Sequence, residues 1–482
     1  MKKVGIIKNK ELIYCEEPPF HPSINYPEYP FNNFSSQNPV YDAVRNLLAL
    51  LDMDSEHFNT PEWNPFNDIV APGNTVLIKP NLVKHGNPGV DFKSLVTHGS
   101  IIRAIVDYIY LGLQGQGKII IGDAPIQSAD FSQIMVRSGI DKIVSFYAEQ
   151  KNFEIEVMDF RIETGMRNEK GIIERKKLTG DRYGYVEIDL AHDSMLHEIE
   201  GDFERFRVTN YDPQKMLYYH RTGKHSYLIA RSMLVADVIV NLPKLKTHRK
   251  AGITCSLKNM VGINVTKDSL PHHRYGAKQE GGDEYLHKSI RKKIITRLYE
   301  KLDTTHTAYF KSMCTLIHRG IRCTEFIVPY KDAYFEGSWY GNDTLPRTIA
   351  DLNRILLYAD KNGIMNNTVQ RKMFILVDAI IGGENEGPLY PTAKPCGVLV
   401  AGYDPAAVDL VCSRIMGFDY EKIPQFKYIM ADNKYPVSHV TGDDLELKSK
   451  ESLQFNNLNR VLSKPFKPAK GWIDHIELSN NN

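Results

Sequence analysis

Residues 238–262 read VIVNLPKLKTHRKAGITCSLKNMVG and predict a buried strand that ends abruptly in polar side chains. The first three residues are β-branched and apolar, as in a strand that is covered on both faces of a parallel sheet. The polar residues that follow are Lys244, Lys246, His248, Arg249, Lys250, Lys258 and Asn259. So many cations repel one another unless they are solvated or face an anion. A solvated loop is the plainer interpretation, but the small residues among them leave room for a ligand, and we expect an anion site.

The same pattern of an apolar strand followed by a polar turn occurs in three further segments. They are TVLIKPNLV at 75–83, KIIIGDAP at 118–125 and MFILVDAIIGGENEGP at 373–388. An amphipathic helix at 99–112 separates the first two strands, which predicts a right-handed βαβ unit. The carboxyl ends of parallel strands meet at one edge, where open sheets bind ligands. We therefore predict an α/β fold with a mostly parallel sheet flanked by helices and a large mixed insertion.

A chain of 482 residues exceeds the usual size of one domain, so two globular units or one core with insertions are expected. The strand–helix rhythm is interrupted at 265–345, which predicts an insertion over the active-site edge. The other segments are an N-terminal arm with the first helices (1–69), two parts of the α/β core (70–264 and 346–420) and a C-terminal segment that wraps the surface (421–482).

Composition excludes several classes of protein. A net charge of +2 gives no global attraction to nucleic acid, and no apolar run is long enough to span a bilayer or to act as a signal peptide, so a cytoplasmic protein is expected. The six cysteines have no CxxC or ferredoxin-type spacing, which argues against an iron–sulfur cluster. Cys255 lies among cations, where its thiol is either acidic and reactive or buried and inert. The sequence leaves a homo-oligomer open.

The candidate site residues fall into three groups by their chemistry. Ammonium, guanidinium, imidazole and amide groups that would hold a phosphate or carboxylate are those of Lys79, Asn81, Lys244, Lys246, Lys258, Asn259, His272 and Arg274. Carboxylates that would bind Mg²⁺ or Mn²⁺ are those of Asp123, Asp378 and Glu384. Groups that would transfer protons are those of His248, His98 and Asp123. Turn formation, helix capping and ordinary surface exposure are the alternatives for each residue.

These segments, taken in order, resemble a bacterial and archaeal family known as domain of unknown function 362. The matching motifs are Ile78–Val83, Thr97–His98, Gly122–Pro125, Lys244–Gly262, Asp378–Pro388 and Asp404–Asp409. The resemblance covers roughly 70–420 and implies the α/β scaffold. Two further stretches, LPHHR…GGDEY and GNDT…LN, look like a longer subgroup that often accompanies surface-polysaccharide loci. Some relatives carry a ferredoxin-like cysteine cluster, which this chain lacks. The family has no agreed reaction.

Three functions are open from the sequence. The first is an enzyme that uses a divalent metal to transform a small anionic molecule, such as a sugar precursor in surface-polysaccharide biosynthesis. The second is racemase-like chemistry on a hydroxy acid, since the strand-end motifs are loosely similar to the N-terminal half of nickel-dependent lactate racemases. The third is a non-catalytic protein that binds an anionic glycan. A redox partner would need a bound cluster or flavin.

Overall fold

A computed structural model describes residues 1–35, 37–167, 173–208, 213–304, 308–323 and 330–479. The strands are β1 (Lys2–Lys8), β2 (Thr75–Pro80), β3 (Lys118–Asp123), β4 (Ile155–Asp159), β5 (Glu163–Arg167), β6 (Ile173–Lys177), β7 (Tyr185–Asp189), β8 (Phe206–Arg207), β9 (His220–Arg221), β10 (Lys224–Ala230), β11 (Val238–Leu242), β12 (Lys244–His248), β13 (Gly252–Thr254), β14 (His273–Arg274), β15 (Lys372–Glu386), β16 (Tyr390–Gly402) and β17 (Leu445–Lys448). The helices are α1 (Pro39–Leu50), α2 (Gly99–Leu113), α3 (Phe131–Ser138), α4 (Ile140–Lys151), α5 (Pro213–Tyr219), α6 (Arg231–Val235), α7 (Ser256–Asn259), α8 (Ile290–Thr304), α9 (Ala308–Cys323), α10 (Thr344–Tyr358), α11 (Pro405–Met416) and α12 (Pro424–Ile429).

A ten-stranded sheet organises the fold, in the order β17-β1-β16-β15-β11-β2-β3-β4, with β12 and β13 attached beside β15. Strands β15, β11, β2, β3 and β4 are parallel, whereas β16 is antiparallel to its neighbours β15 and β1. The predicted mostly parallel α/β fold is thus confirmed. All four strands inferred from the apolar runs lie side by side, because β-branched residues buried on both faces favour the centre of a parallel sheet.

Each face of the sheet has its own hydrophobic core. Successive residues of a strand point to opposite faces, so Ile119 and Ile121 of β3 lie in one core and Ile120 lies in the other. The first core contains α1, α2 and the aromatic side chains of the N-terminal arm. The second contains α10, α11 and residues of the C-terminal segment, such as Trp472. The arm and the C-terminal segment therefore contribute to the packing of the sheet.

Strand β1 at the N-terminus joins the sheet between β16 and β17, a position that the apolar patterns did not predict. The region between β13 and α10 contains β14, α8 and α9, and β14 pairs with β8 in a separate two-stranded sheet. Within the described ranges, no helix combines the length and the apolar character that crossing a bilayer requires.

Candidate functional site

The carboxyl ends of β2 and β3 bring Lys79 and Asp123 together. The Lys79 ammonium lies 2.7 Å from Oδ1 of Asp123, and the Lys79 side chain is completely buried. Oδ2 of Asp123 accepts a hydrogen bond from the backbone N–H of Leu82 at 2.7 Å. Gly262 permits this approach, because a Cβ atom at that position would lie 2.1 Å from Oδ1 of Asp123. Burial lowers the pKa of Lys79, and the Asp123 carboxylate opposes that change.

A chain of amide groups connects this pair to the basic stretch after β11. The side chain of Asn259 accepts hydrogen bonds from Lys79 at 3.3 Å and from Asn81 at 3.0 Å. Its Nδ2 atom donates to Oδ1 of Asn241 at 2.8 Å. The side-chain Oδ1 atom of Asn81 in turn accepts a hydrogen bond from the Lys246 ammonium at 2.7 Å. Asn81 and Asn259 therefore hold the lysine side chains in place.

A second ion pair lies where β12 runs beside β15. The Lys244 ammonium is 3.1 Å from Oδ2 of Asp378, and both side chains are completely buried. The hydroxyl of Tyr14, from the N-terminal arm, donates to Oδ1 of Asp378 and accepts from Lys244, each at 2.6 Å. The same hydroxyl accepts from the backbone N–H of Ile381 at 3.1 Å. The arm thus completes a buried polar cluster, and Tyr14 was not among the residues predicted from the sequence.

His98 is placed as a helix cap. Its Nδ1 atom accepts a hydrogen bond from the backbone N–H of Ser100 at the start of α2, at 3.2 Å, and its ring stacks on that of Tyr14 at 4.0 Å. Burial first, and the nearby charge of Lys244 second, lower the pKa of His98 to about 3. The imidazole is therefore neutral near pH 7. The backbone N–H of His98 donates a hydrogen bond to Oδ2 of Asp378 at 3.0 Å.

The three carboxylates predicted to bind a metal are each engaged by a lysine. Asp123 pairs with Lys79 and Asp378 with Lys244, while Glu384 lies 3.0 Å from the Lys394 ammonium. In the part of the chain that the structure covers, one group of three His, Cys, Asp or Glu residues has its potential ligand atoms within 4.8 Å of one another. That group does not include Asp123, Asp378 or Glu384. The geometry does not bring the predicted carboxylates together around one ion, and their metal role stays a prediction.

Beside these networks lies a cavity of about 750 Å³. Its cationic lining residues are Lys84, Arg175, Arg249, Lys250 and Lys267, with the imidazoles of His248 and His272, and its carboxylates are those of Glu163, Glu336 and Glu386. Glu163 is paired with Arg175, and Glu386 lies 3.4 Å from Arg249. The remaining lining has more cations than carboxylates, which favours an anionic ligand.

Lys258 on α7 lies beside this lining. Burial, followed by repulsion from Lys267 and Lys79, lowers the pKa of Lys258 to about 7. Its ammonium makes no hydrogen bond or ion pair with any described residue. Burial also lowers the pKa values of Lys250 and Lys267 to about 8. The charges of Lys244 and Lys258 both lower the pKa of Lys246. The two buried networks and the cavity lysines are therefore close enough to influence one another electrostatically.

Two histidines in the cavity present opposite hydrogen-bonding groups. Nδ1 of His248 accepts from the backbone N–H groups of Lys250 and Ala251, both at 3.1 Å, so a neutral ring carries its proton on Nε2 as a donor. Nδ1 of His272 lies 2.7 Å from the carbonyl oxygen of Leu270, which leaves Nε2 as an acceptor. Burial lowers the pKa values of both rings well below the usual range.

Two further residues considered from the sequence, Arg274 and Cys255, do not line the cavity. Arg274, on β14, lies 3.7 Å from Asp283 and 3.6 Å from Asp343, and so joins the inserted region to the start of α10. Burial raises the pKa of the Cys255 thiol well above its usual value, which corresponds to the buried, inert alternative. Lys267 was missed because it follows no apolar strand, although the nearby PHHR sequence marked the region.

The chain matches one family model and has a distant similarity to two known proteins. A family model described as Domain of unknown function (DUF362) matches residues 76–179 and 187–414. A thylakoid-associated protein from Synechocystis is 23% identical over 195 residues, and the match covers 40% of this chain and 40% of that protein. A crystal structure of a Thermotoga maritima protein superimposes with a TM-score of 0.33 and 10% identity, over 78% of this chain and 58% of the other.

Proposed function

The chain belongs to the domain of unknown function 362 family, and from that premise we propose that its cavity binds a small molecule with several negative charges. Phosphate or carboxylate groups of this molecule would lie against the lysines, and Lys258 would transfer a proton to or from it. The observation that carries the proposal is the crowding of Lys258, Lys267 and Lys250 with pKa values lowered to about 7 and 8.

The electrostatics of the cavity supports an anionic ligand. Cations crowded at partly buried positions repel one another, and a bound anion offsets that repulsion while it forms charge-assisted hydrogen bonds. Lys79 and Lys244 already have carboxylate partners and do not need a ligand as counter-ion. Lys258 has no such partner among the described residues and is available to the ligand together with the lysines of the lining.

The same arrangement supports acid–base chemistry. A group with a pKa near the working pH is populated in both protonation states, as an acid–base catalyst requires. Lys258, with a pKa of about 7, meets that requirement. A bound anion would raise this pKa and make Lys258 a general acid, while the Nε2–H of His248 would donate a hydrogen bond to the same ligand. No step of this proposal passes through a metal ion.

A phosphorylated sugar precursor of surface polysaccharide is the substrate class that we propose first, and a hydroxy acid is the second. We also propose that the activity resides in the cytoplasm, where free cysteines such as the buried Cys15, Cys255, Cys396 and Cys412 persist. A non-catalytic anion-binding protein is a distinct candidate. It is favoured by Asp123 and Asp378, whose carboxylates are engaged in ion pairs and are not available as bases.

The test compares Lys258→Gln and Lys258→Arg with the wild type in calorimetric titrations against inorganic phosphate, citrate and a panel of sugar phosphates. Loss of a charged hydrogen bond should weaken binding by about 10- to 100-fold in Lys258→Gln. The exposed Lys450→Gln is the matched control and should bind as the wild type does. Equal affinity of Lys258→Gln and wild type would overturn the anion site.

Turnover separates the enzyme from the binder. Mass spectrometry of each bound anion before and after incubation should detect conversion by the wild type and none by Lys258→Arg, because an arginine stays protonated and cannot exchange a proton. A binding protein would convert no anion, and its Lys258→Arg variant would retain affinity.

A further inference from the structure

A cluster of two histidines and a glutamate lies where β10 meets the 3₁₀ helix His197–Arg205. There Nδ1 of His197 is 3.1 Å from Oε1 of Glu200, and Nε2 of His225 is 3.2 Å from Oε2 of the same carboxylate. The three ligand atoms lie within 4.8 Å of one another. We propose that His197, Glu200 and His225 bind a divalent transition-metal ion, with Zn²⁺ as the best match.

The donor set fits Zn²⁺ chemically. Two imidazole nitrogens and one carboxylate oxygen are a recurrent protein ligand set for Zn²⁺, at ligand distances of about 2.0–2.2 Å. Ligand atoms on a tetrahedral ion of that size are about 3.3–3.5 Å apart. Each imidazole nitrogen lies close to that spacing from one of the two Glu200 oxygens, at 3.1 and 3.2 Å, and one ligand atom from each residue lies within 4.8 Å of the other two.

Two of the three ligands are already fixed by the fold. His225 lies on β10 with its side chain completely buried, and its backbone N–H donates to Asp189 at 2.8 Å. Oε2 of Glu200 accepts from the backbone N–H of Gly223 at 2.8 Å. His197 is the more exposed partner, with 45% of its side chain accessible, and it gives an ion access from solvent. His225 and Glu200 are therefore held in place by the fold, while the side of the cluster at His197 is open to solvent.

A fourth ligand would come from water or from a neighbouring imidazole. The ring of His192 lies 6.5 Å from that of His197, measured between ring centroids, and His192 is exposed. Three protein ligands with an open position are typical of Zn²⁺ sites that keep a bound water. The structure therefore assigns three ligands from the protein and leaves the fourth position accessible.

Metal binding here would also fix one wall of the large cavity. The 3₁₀ helix that carries His197 and Glu200 continues directly into β8, which pairs with β14. The backbone N–H of His272, a cavity residue, donates to the carbonyl oxygen of Arg207 on β8 at 2.8 Å. An ion that joins the 3₁₀ helix to β10 would therefore hold β8 and β14 in place beside the cavity.

The test is equilibrium dialysis of the chelator-treated full chain against Zn²⁺ alone. We expect one ion per wild-type chain and at least tenfold weaker binding in Glu200→Gln and in His197→Ala. The matched control is His57→Ala, because His57 and Asp54 form an exposed imidazole–carboxylate pair at 2.7 Å elsewhere in the chain. This variant should bind as the wild type does.

Circular dichroism establishes that each variant is folded, and the exposed His197→Ala keeps the test decisive if Glu200→Gln does not fold. A wild type that binds no stoichiometric Zn²⁺ would overturn the site. So would a folded His197→Ala with unchanged affinity, because the ion would then lie elsewhere, for example among the cavity histidines. The outcome is independent of anion binding at Lys258.

Discussion

The ammonium of Lys79 lies 2.7 Å from the carboxylate of Asp123, and both side chains are buried at the carboxyl edge of the sheet. Removing one member of a buried ion pair leaves the other charge uncompensated. We therefore expect Asp123→Asn to lower the free energy of unfolding by about 3–5 kcal/mol, measured by urea denaturation. Asp52→Asn, which removes an exposed carboxylate that lies 2.9 Å from Lys3 and 3.0 Å from Lys448, should cost about 1 kcal/mol or less. Similar losses in both variants would contradict the structural role of Asp123.

Gly262 is the residue behind that ion pair. In Gly262→Ala the new Cβ would lie 2.1 Å from Oδ1 of Asp123, so the carboxylate and the Lys79 ammonium would have to separate. We expect a loss of about 1–3 kcal/mol in unfolding free energy. Gly201→Ala is the control, because a Cβ there meets no atom within 4 Å. A stable Gly262→Ala variant with unchanged anion affinity would count against the tight packing of this edge.

Tyr14 connects the N-terminal arm to the second buried ion pair. In Tyr14→Phe the hydroxyl that donates to Asp378 and accepts from Lys244 is lost, while the ring remains. Leaving these buried groups with an unmade hydrogen bond should cost about 1–3 kcal/mol in thermal or urea unfolding. Tyr110→Phe is a matched control in the same core, since the Tyr110 hydroxyl has no hydrogen-bond partner among the described residues. Equal effects of the two substitutions would refute the bridging role.

Anion affinity should depend on pH through Lys258. The side chain is protonated below its pKa of about 7 and neutral above it, so the affinity for phosphate should fall as the pH rises through that value. Calorimetric titrations between pH 6 and 9 measure this change. Lys258→Arg should keep only the part of this pH dependence that comes from Lys250, Lys267 and phosphate itself. A wild-type profile identical to that of Lys258→Arg would exclude Lys258 as the titrating group.

The same lowered pKa predicts how the stability of the chain without a bound anion changes with pH. Between about 7 and the ordinary lysine value of 10.5, the unfolded chain binds the Lys258 proton and the folded chain does not. The free energy of unfolding should therefore rise with pH in this window. Lys258→Met should show a smaller rise, while Lys250 and Lys267 continue to contribute. Urea denaturation at pH 7 and pH 9 checks the sign, and a steeper rise in the variant would contradict it.

The scaffold could be predicted because its signals are local. The runs Val76–Ile78, Ile119–Ile121 and Val238–Val240 are β-branched or apolar throughout, and all three lie in neighbouring parallel strands. Strand β1 was missed because its pairing with β16 joins opposite ends of the chain. No local pattern of alternation or turn residues reports such a partner.

The sequence named several residues that the structure brings together, but not the contacts between them, and their roles in a site stay predictions. Lys79 and Lys244 were expected to hold a ligand, but each has a buried carboxylate partner that is distant in sequence. Asn81 and Asn259 contact the lysines through their amide groups. The pairing of charges depends on strand order and register, which the sequence of one segment does not specify.

By itself, the sequence determined which segments become buried strands and that lysines, amides and carboxylates follow their ends, because backbone propensity and the period of apolar residues are properties of neighbouring positions. Only the tertiary structure decided which charges neutralise each other. Packing placed Asp123 on Lys79 and Asp378 on Lys244, and it left the partly buried Lys258 beside other cations without a partner in the described chain. Charge pairing and desolvation arise from three-dimensional proximity, so they appear when the strands are assembled.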